Sequence, residues 1–405
     1  MQIQNEPISE DVMGWLNHEH VPSKMFTHRE FAFTLPGDIY LRYNSFMTME
    51  DFRKQVLKLL PSRFEIGAVY SAMPKDKKTL RPGVLQPILR ELVFDIDMTD
   101  YDSIRTCCSG KGICKRCWGF IAVAVVVLDS ALRNQFGFRN LLWVYSGRRG
   151  IHLWISDPEA LALTDDQRKS LMGWLEVVKG GKEQMKKVNV RFGKGGVSPL
   201  HPALNAAFQH LKSSFYELVL QDQDSFSEED NWKVLLEYLT DADMKRNLRE
   251  DWAADLNRTS EEKWDDLRKA MTAAKHKEKK GHATKSEAQK DPNEINVPVT
   301  DRYTAAMEDI ILEFMYPRLD SEVTKHRNHL LKAPFCVHPN TGRVCVPVEP
   351  EHVFDFDPEK VPTVQQLIKE LDQLGSETHH SGELGEDVPK IICQYHGPPG
   401  YESDE

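Results

Sequence analysis

The stretch ELVFDIDMTDYD, residues 91–102, sets four aspartates within eight positions directly behind an apolar run. Leu92, Phe94, Ile96 and Met98 recur at every second position, which predicts a β-strand with one face in the core. Val93, Asp95 and Asp97 then share the other face. Side chains two apart on a strand stand about 7 Å apart at the backbone, near enough to converge on one cation or a close cation pair. Two carboxylates held that close repel, and a divalent metal relieves the repulsion. A strand end meeting solvent also uses aspartate to start a turn, so the pair is a weak signal by itself.

CCSGKGICKRC supplies Cys107, Cys108, Cys114 and Cys117. The C-x-x-C at 114–117 offers two thiolates from one tight turn, and the adjacent pair completes a tetrahedral Zn²⁺ shell. Four protein ligands close that shell, so the zinc is expected to be structural. LLWVYSGRRGIHLWIS, residues 141–156, reads as a β-hairpin with two guanidiniums at its tip. Gly147 and Gly150 let the backbone approach a ligand, Arg148 and Arg149 can clamp phosphate oxygens bidentately, and His152 lies beside the tip on the face of Trp154. A solvated basic turn fits this hairpin alone equally well. Further on, Asp320 follows Pro317, and Lys332 and His338 flank the first strand of a second hairpin turning at HPNTGR. Cys336 and Cys345 read as core thiols. No G-x-x-x-x-G-K-[ST] phosphate loop occurs, so the combination suggests a nucleotide held by arginine, lysine and two divalent ions.

These groups need a scaffold. The 405 residues suffice for two or three domains, and 40% hydrophobic with 28% charged content is ordinary for a globular protein. A formal charge of −10 argues against a surface that binds polyanions everywhere, so such contacts must come from local basic patches or from partners. Seven cysteines, four of them clustered, fit a metal site in a reducing compartment. The N-terminus has no secretory signal, and the apolar run Trp118–Leu128 falls short of the roughly 20 residues that span a bilayer; a soluble, intracellular chain without membrane contact is expected. Residues 1–204 mix strand-like and helical runs, with a helix from Thr164 to Val178 opened by a Thr164/Gln167 capping box and stopped by Gly180 and Gly181. GFIAVAVVVLDSAL is read as helix. Residues 205–290 turn helical and charged, 291–358 return to mixed structure after a helix ending before Pro317, and 359–405 form a tail loosely ordered at its end. KHKEKKGHATK at 275–285 is read as a solvated linker.

ELVFDIDMTDYD, the CC-x5-C-x2-CW pattern, YSGRRGIHLW, YPRLD, NHLLKAPFCVHPNTGR and HREFAFTL-x2-DIYLRY together resemble the catalytic small subunits of eukaryotic DNA primase, in the archaeo-eukaryotic primase superfamily. The likeness runs from about Trp15 to Val348. It implies a mixed α/β "prim" core in two parts, 1–204 and 291–358, with a zinc motif at 107–117 and an inserted helical subdomain at 205–290. It implies that Asp95, Asp97 and Asp320 bind two catalytic Mg²⁺ or Mn²⁺ ions, that the four clustered cysteines bind Zn²⁺, and that Glu30 serves catalysis or initiation. Nucleotide contacts fall to Arg42, Ser146, Gly147, Arg148, Arg149, Gly150, His152, His329, Leu330, Leu331, Lys332 and His338. The activity so implied is DNA-templated synthesis of RNA primers from ribonucleoside triphosphates on single-stranded DNA, in the nucleus, with an iron-sulfur-bearing primase large subunit and the DNA polymerase α complex as partners. Three departures stand out. The chain reaches GWLNHEH without a preceding Tyr- and Arg-rich helix, it ends in IICQYHGPPGYESDE in place of a helix, and Arg63-Phe64-Glu65 replaces Lys-x-Asp, where the longer Glu65 is expected to shift contacts to the ribose. Two competing readings remain: a haloacid-dehalogenase-like phosphatase, because VFDIDMT satisfies D-x-D-x-T, and a non-catalytic, zinc-stabilised nucleic-acid-binding subunit.

Overall fold

A computed structural model of the chain describes residues 14–18, 22–179, 186–191, 198–282 and 300–378. The alternation in ELVFDID does form a strand, β5 (Leu92–Asp97). It pairs with β7 (Gly150–Ile155), and β7 pairs with β6 (Leu141–Tyr145), giving a three-stranded antiparallel sheet in the order β5-β7-β6. The second sheet is also antiparallel: β2 (Ile39–Asn44), β1 (Arg29–Leu35), β3 (Arg63–Tyr70) and β4 (Pro87–Leu89) lie in that order, and β8 (Leu331–Lys332) pairs with β3. The chain is thus mixed α/β, as its sequence predicts.

The smaller sheet is covered on both faces, because its two residue sets are both apolar. Leu92, Phe94 and Ile96 enter the main core, while Val93 and Trp154 enter a second core with Phe31, Phe33 and Ile66 of the larger sheet. Between the larger sheet's β2 and β3, the helix α1 (Met49–Leu59) brings Phe52 against Phe31, Phe46 and Phe64. The Val- and Ala-rich run lies in helix α2 (Lys115–Asn134). By length and composition α2 could cross a membrane, but 12 of its residues are buried and it packs on the helical region as a core element. Helix α3 (Asp165–Leu175) has the capping box expected of Thr164 and Gln167; Gly180 and Gly181 lie outside the described residues.

The helical region comprises α4 (Pro202–Phe215), α5 (Glu229–Glu237), α6 (Ala242–Ala254) and α7 (Ser260–His282), with a π-helical segment, Tyr216–Asp222, continuing α4. Helix α8 (Arg302–Met315) packs on α4 and stops before Pro317, and the short α9 (Ser321–Lys325) packs on β5. One reading is corrected here. The basic run at 275–285 is helical to His282 rather than a linker, with Lys275 paired to Asp301, the N-cap of α8. The tail region beginning at 359 contains α10 (Val364–Thr378), opened by reciprocal Thr363 and Gln366 hydrogen bonds. Residues 379–405, including the IICQYHGPPGYESDE end, lie outside the described residues.

The two sheets are joined by buried charge. Glu91, immediately before β5, accepts both terminal nitrogens of Arg29 at 2.8 and 2.9 Å and one of Arg90 at 2.9 Å. The same guanidiniums reach the β3 carbonyls of Gly67 and Ile66. Arg168 of α3 donates to the carbonyls of Arg90, Glu91 and Ala160. Every one of these side chains is buried. Burial by itself would raise the Glu91 carboxyl, but Arg29 and Arg90 hold it down at about 2. Because this pKa lies below that of the unfolded chain, the network's stabilisation is present in full above the ordinary carboxylate range and is lost as pH falls towards 2. Replacing Glu91 by Gln leaves two guanidiniums uncompensated and should destabilise the fold by about 3–5 kcal/mol, while flattening the acid limb of stability against pH; denaturant titrations from pH 7 to pH 3 measure both.

Candidate active site

The acid cluster forms where β5 ends. Asp95 and Asp97 point to the same side, and the Asp320 amide donates to the Asp95 carbonyl at 3.1 Å, which brings a residue from far along the chain beside the strand. Thr324 of α9 seals this junction by donating to the Val93 carbonyl at 2.7 Å. Arg318 fixes the incoming loop: its amide donates to the Tyr101 hydroxyl and its guanidinium to the Asp100 carbonyl. The sequence reading passed over Arg318, although it lies inside the YPRLD motif. Its role shows only once the loop is seen against the turn that follows Asp97.

Charge in this cluster is unevenly answered. Burial, then Asp97 and Asp320, push the Asp95 carboxyl up to about 7. Asp97 lies below the ordinary range: burial opposes this, but the Thr99 amide and hydroxyl and the Arg149 guanidinium bond its carboxylate. Arg149 Nε lies 2.8 and 3.0 Å from the two Asp97 oxygens. The structure therefore places Arg149 on an acid of the cluster, where the sequence had offered it to a phosphate. Neighbouring acids with too few cations form a donor set suited to divalent ions, whose oxygen ligands are chiefly carboxylates.

The two hairpins meet as expected. Gly150 sits opposite Asp97, and a Cβ there would fall 2.3 Å from the Ile96 carbonyl oxygen, so only glycine lets β7 close on β5 at this point. Gly147, with φ +83°, leaves room for His338 and Cys345 of the second hairpin. That hairpin turns through HPNTGR as predicted, with Cys336 and Cys345 hydrogen-bonded across it as free, buried thiols. Lys332 Nζ donates to the Ser146 carbonyl at 2.8 Å and Thr341 to the Gly147 carbonyl, while the Ser146 hydroxyl accepts the Gly150 amide. The backbone at Arg148 is fixed from behind, its carbonyl accepting the Tyr145 hydroxyl. His152 faces Asp95 across the sheet, Nε2 3.6 Å from a carboxylate oxygen. Burial and Lys332 lower His152 to about 3, and burial, Lys332 and Arg148 lower His338 to about 4. Both are neutral near pH 7. His338 Nδ1 accepts the Asn340 amide, which leaves Nε2 to carry the proton and donate.

The remaining candidates divide. Arg42, His329 and Leu330 line an open cleft of about 530 Å³ together with Tyr40, Arg63 and Glu65. Leu331 does not: its side chain fills the second core, and only its backbone pairs with Ile66. Glu30 is fully buried and saturated, accepting from Arg42, the Tyr43 amide and the Tyr70 hydroxyl, so the structure gives it to positioning Arg42.

The cysteines converge as their spacing predicts, all four sulfurs lying within 4.8 Å of one another. Ligands about 2.3 Å from a tetrahedral centre stand about 3.8 Å apart; Cys114 Sγ is 3.6 Å from Cys107 and 3.9 Å from Cys117. The loop is tied down from outside. Arg105 donates to the Gly112 and Gly110 carbonyls and to Cys117 Sγ, while Gln223 accepts the Thr106 and Cys107 amides and Arg116 pairs with Asp222.

Residues 94–350 match the family model of the DNA primase small subunit. The DNA primase small subunit of Schizosaccharomyces pombe is 47% identical over 359 residues, 89% of this chain and 74% of its own. That of Saccharomyces cerevisiae is 38% identical over 364 residues, 89% of this chain and 82% of its own. The PriS small subunit of the archaeon Archaeoglobus fulgidus is 30% identical over 167 residues, 40% of this chain and 46% of its own. The chain belongs to the DNA primase small subunit family. The family-model span holds the acid cluster, the four cysteines and both hairpins, whereas Glu30 and Arg42 precede it.

A four-thiolate shell should retain one metal ion per chain through dialysis against a weak chelator. Cys114→Ser should release that ion and lower the unfolding temperature by several degrees, read by elemental analysis and calorimetry on the same sample.

Proposed function

We propose that the chain is the catalytic small subunit of a nuclear DNA primase and makes short RNA primers on single-stranded DNA from ribonucleoside triphosphates. The observation that carries this is the meeting of Asp95, Asp97 and Asp320 beside two hairpin tips rich in cations, within a chain of this family. Asp95, Asp97 and Asp320 would hold two Mg²⁺ or Mn²⁺ ions, which would supply activation of a primer 3′-hydroxyl and neutralisation of charge on the triphosphate. The protein's own part is positioning and electrostatics. Arg148 and Lys332 add positive charge along the phosphates, neutral His338 donates a hydrogen bond, and Arg149, beside Asp97, offers its remaining guanidinium N–H groups to a phosphate oxygen. Arg42, His329 and Leu330 border the nucleotide from the cleft, and Ser146, Gly147, Gly150 and His152 shape the floor between the tips. The ion in the cysteine shell is zinc. The relatives' name, a small subunit, supports a large-subunit partner, which in this reading carries the iron-sulfur cluster, with the DNA polymerase α complex beyond it. The D-x-D-x-T resemblance to phosphatases yields to membership of the primase family.

The direct test is synthesis of labelled oligoribonucleotides on a single-stranded DNA template, with and without a large subunit. Asp95→Ala should abolish product without lowering the unfolding temperature, since burial and its neighbours raise that carboxyl, whereas Asp97→Ala should abolish product at a small cost in stability from the lost Thr99 and Arg149 bonds. Template binding without product from the wild-type pair would favour the non-catalytic reading. Arg149→Lys should weaken nucleotide binding about ten- to a hundredfold, because ammonium cannot reproduce the planar fork and a charge-assisted bond is worth roughly 1.5–3 kcal/mol. Nucleotide titrations of the variant measure the loss.

A further inference from the structure

Residues 71–86 form a closed loop on the larger sheet, and the reading of the site leaves it without a role. Its two ends are tied together: the Ser71 amide donates to the Gln86 carbonyl at 2.9 Å, and the Gln86 amide returns to the Ser71 hydroxyl at 3.0 Å. The inside is anchored as well. Pro74 is buried, the Lys75 amide donates to the Ser45 hydroxyl, and Thr79 and Leu80 bond back to Asp76. A compact loop held by its own contacts in this way presents its outer side chains on a fixed frame.

Those outer side chains are Lys75, Lys77, Lys78 and Arg81, all exposed, with Asp76 the only acid between Ser71 and Gln86. Among the described residues no carboxylate pairs with any of the four, so all four charges stand uncompensated within seven positions of sequence. Lys77 is held in place: its Nζ stands 3.4 Å over the ring of Tyr43, and the Arg42 guanidinium lies 4.9 Å from the same ring. Tyr43 keeps φ at +63°, a conformation a bulky residue adopts only when its surroundings enforce it. The ring thus joins the loop to Arg42, which lines the cleft beside β8. The helical region between residues 222 and 266 repels polyanions, with fifteen acids against six bases.

We propose that the loop from Ser71 to Gln86 seats the sugar-phosphate backbone of the polynucleotide as it leaves the cleft. Lys77 on Tyr43 is the inner contact, and Lys75, Lys78 and Arg81 are the outer ones. Unpaired cations on a rigid frame suit a strand of evenly spaced phosphates, because they bind it without reading bases and lose little entropy in doing so. A partner protein with an acidic segment is the competing occupant. The proposal rests on the primase reading of the neighbouring site, and the experiment separates the two.

Binding of a fluorescent single-stranded oligonucleotide to the full chain is measured from 50 to 200 mM salt, alongside binding of a ribonucleoside triphosphate alone. Triple replacement Lys75→Ala, Lys78→Ala and Arg81→Ala should lower the slope of log affinity against log salt by about 2, at roughly 0.7 per phosphate contact on a single strand. Oligonucleotide affinity should fall at least tenfold at the lowest salt, with triphosphate binding and unfolding temperature unchanged. Lys77→Ala alone should remove about one third of that slope change. An unaltered slope in the triple variant overturns the seat, as does an acidic polypeptide that displaces the oligonucleotide at equal charge. A wild-type chain that binds triphosphate but no oligonucleotide also sinks the seat while leaving the nucleotide site standing. Conversely, oligonucleotide binding with the expected slopes but no triphosphate binding supports the seat and sinks the primase reading.

Discussion

Glu91 is the carboxylate from which both sheets hang. It is the first acid of ELVFDIDMTDYD, and Arg29 and Arg90 answer it directly, so β1, β3 and the start of β5 meet around one buried charge. Charge is costly to bury, and a pair of this kind earns its place by fixing an arrangement more than by adding net stability. What it fixes here is the origin of β5, from which Asp95 and Asp97 follow by alternation. Asp95 and Asp97 are left under-compensated, the first raised by burial and its neighbours and the second lent to Arg149. One short segment thus carries an acid neutralised for structure and, further along the strand, two acids whose charge the fold answers only in part.

The hairpin tips obey a related constraint. Two glycines, each at a point where a Cβ would strike its neighbour, allow the first tip to sink between β5 and the second hairpin. Lys332, arriving there, is held by a backbone carbonyl rather than by a carboxylate, and the Tyr145 hydroxyl fixes the backbone of the tip at Arg148. Such contacts orient a cation without cancelling its charge. Arg149 is the exception, and its pairing with Asp97 couples the state of the acids to the state of the tip.

Much of this was legible in the sequence because it is local. Alternation gave β5 and its core face, the capping box at Thr164 gave α3, glycines around Arg148 and Arg149 gave the turn, and the cysteine spacing gave a thiolate cluster. The failures are of another kind. That Arg149 lies on Asp97, that Glu30 is saturated by Arg42, Tyr43 and Tyr70, and that Leu331 turns into a core are outcomes of which segments become neighbours. Nothing in the composition of those segments announces them. The helical course of the 275–282 run was hidden differently, since a row of lysines reads as solvated whether or not its backbone is helical, and only the pairing of Lys275 with Asp301 distinguishes the two.

The junction of α9 with β5 also governs when the molecule can become itself. Thr324 closes on Val93 across 231 residues of sequence, and Gln223 reaches the cysteine loop at Thr106 across 117. On the ribosome the acid strand and the first hairpin are therefore made long before the segment that brings the third acid, and the thiols wait for the residue that latches their loop. Contacts of such separation form late and slowly, leaving strand edges uncovered in the interval. A chain interrupted between the first hairpin and α9 would already hold Arg149 on Asp97 and His152 across from Asp95, but would lack Asp320 and the Thr324 contact that seals its segment against β5.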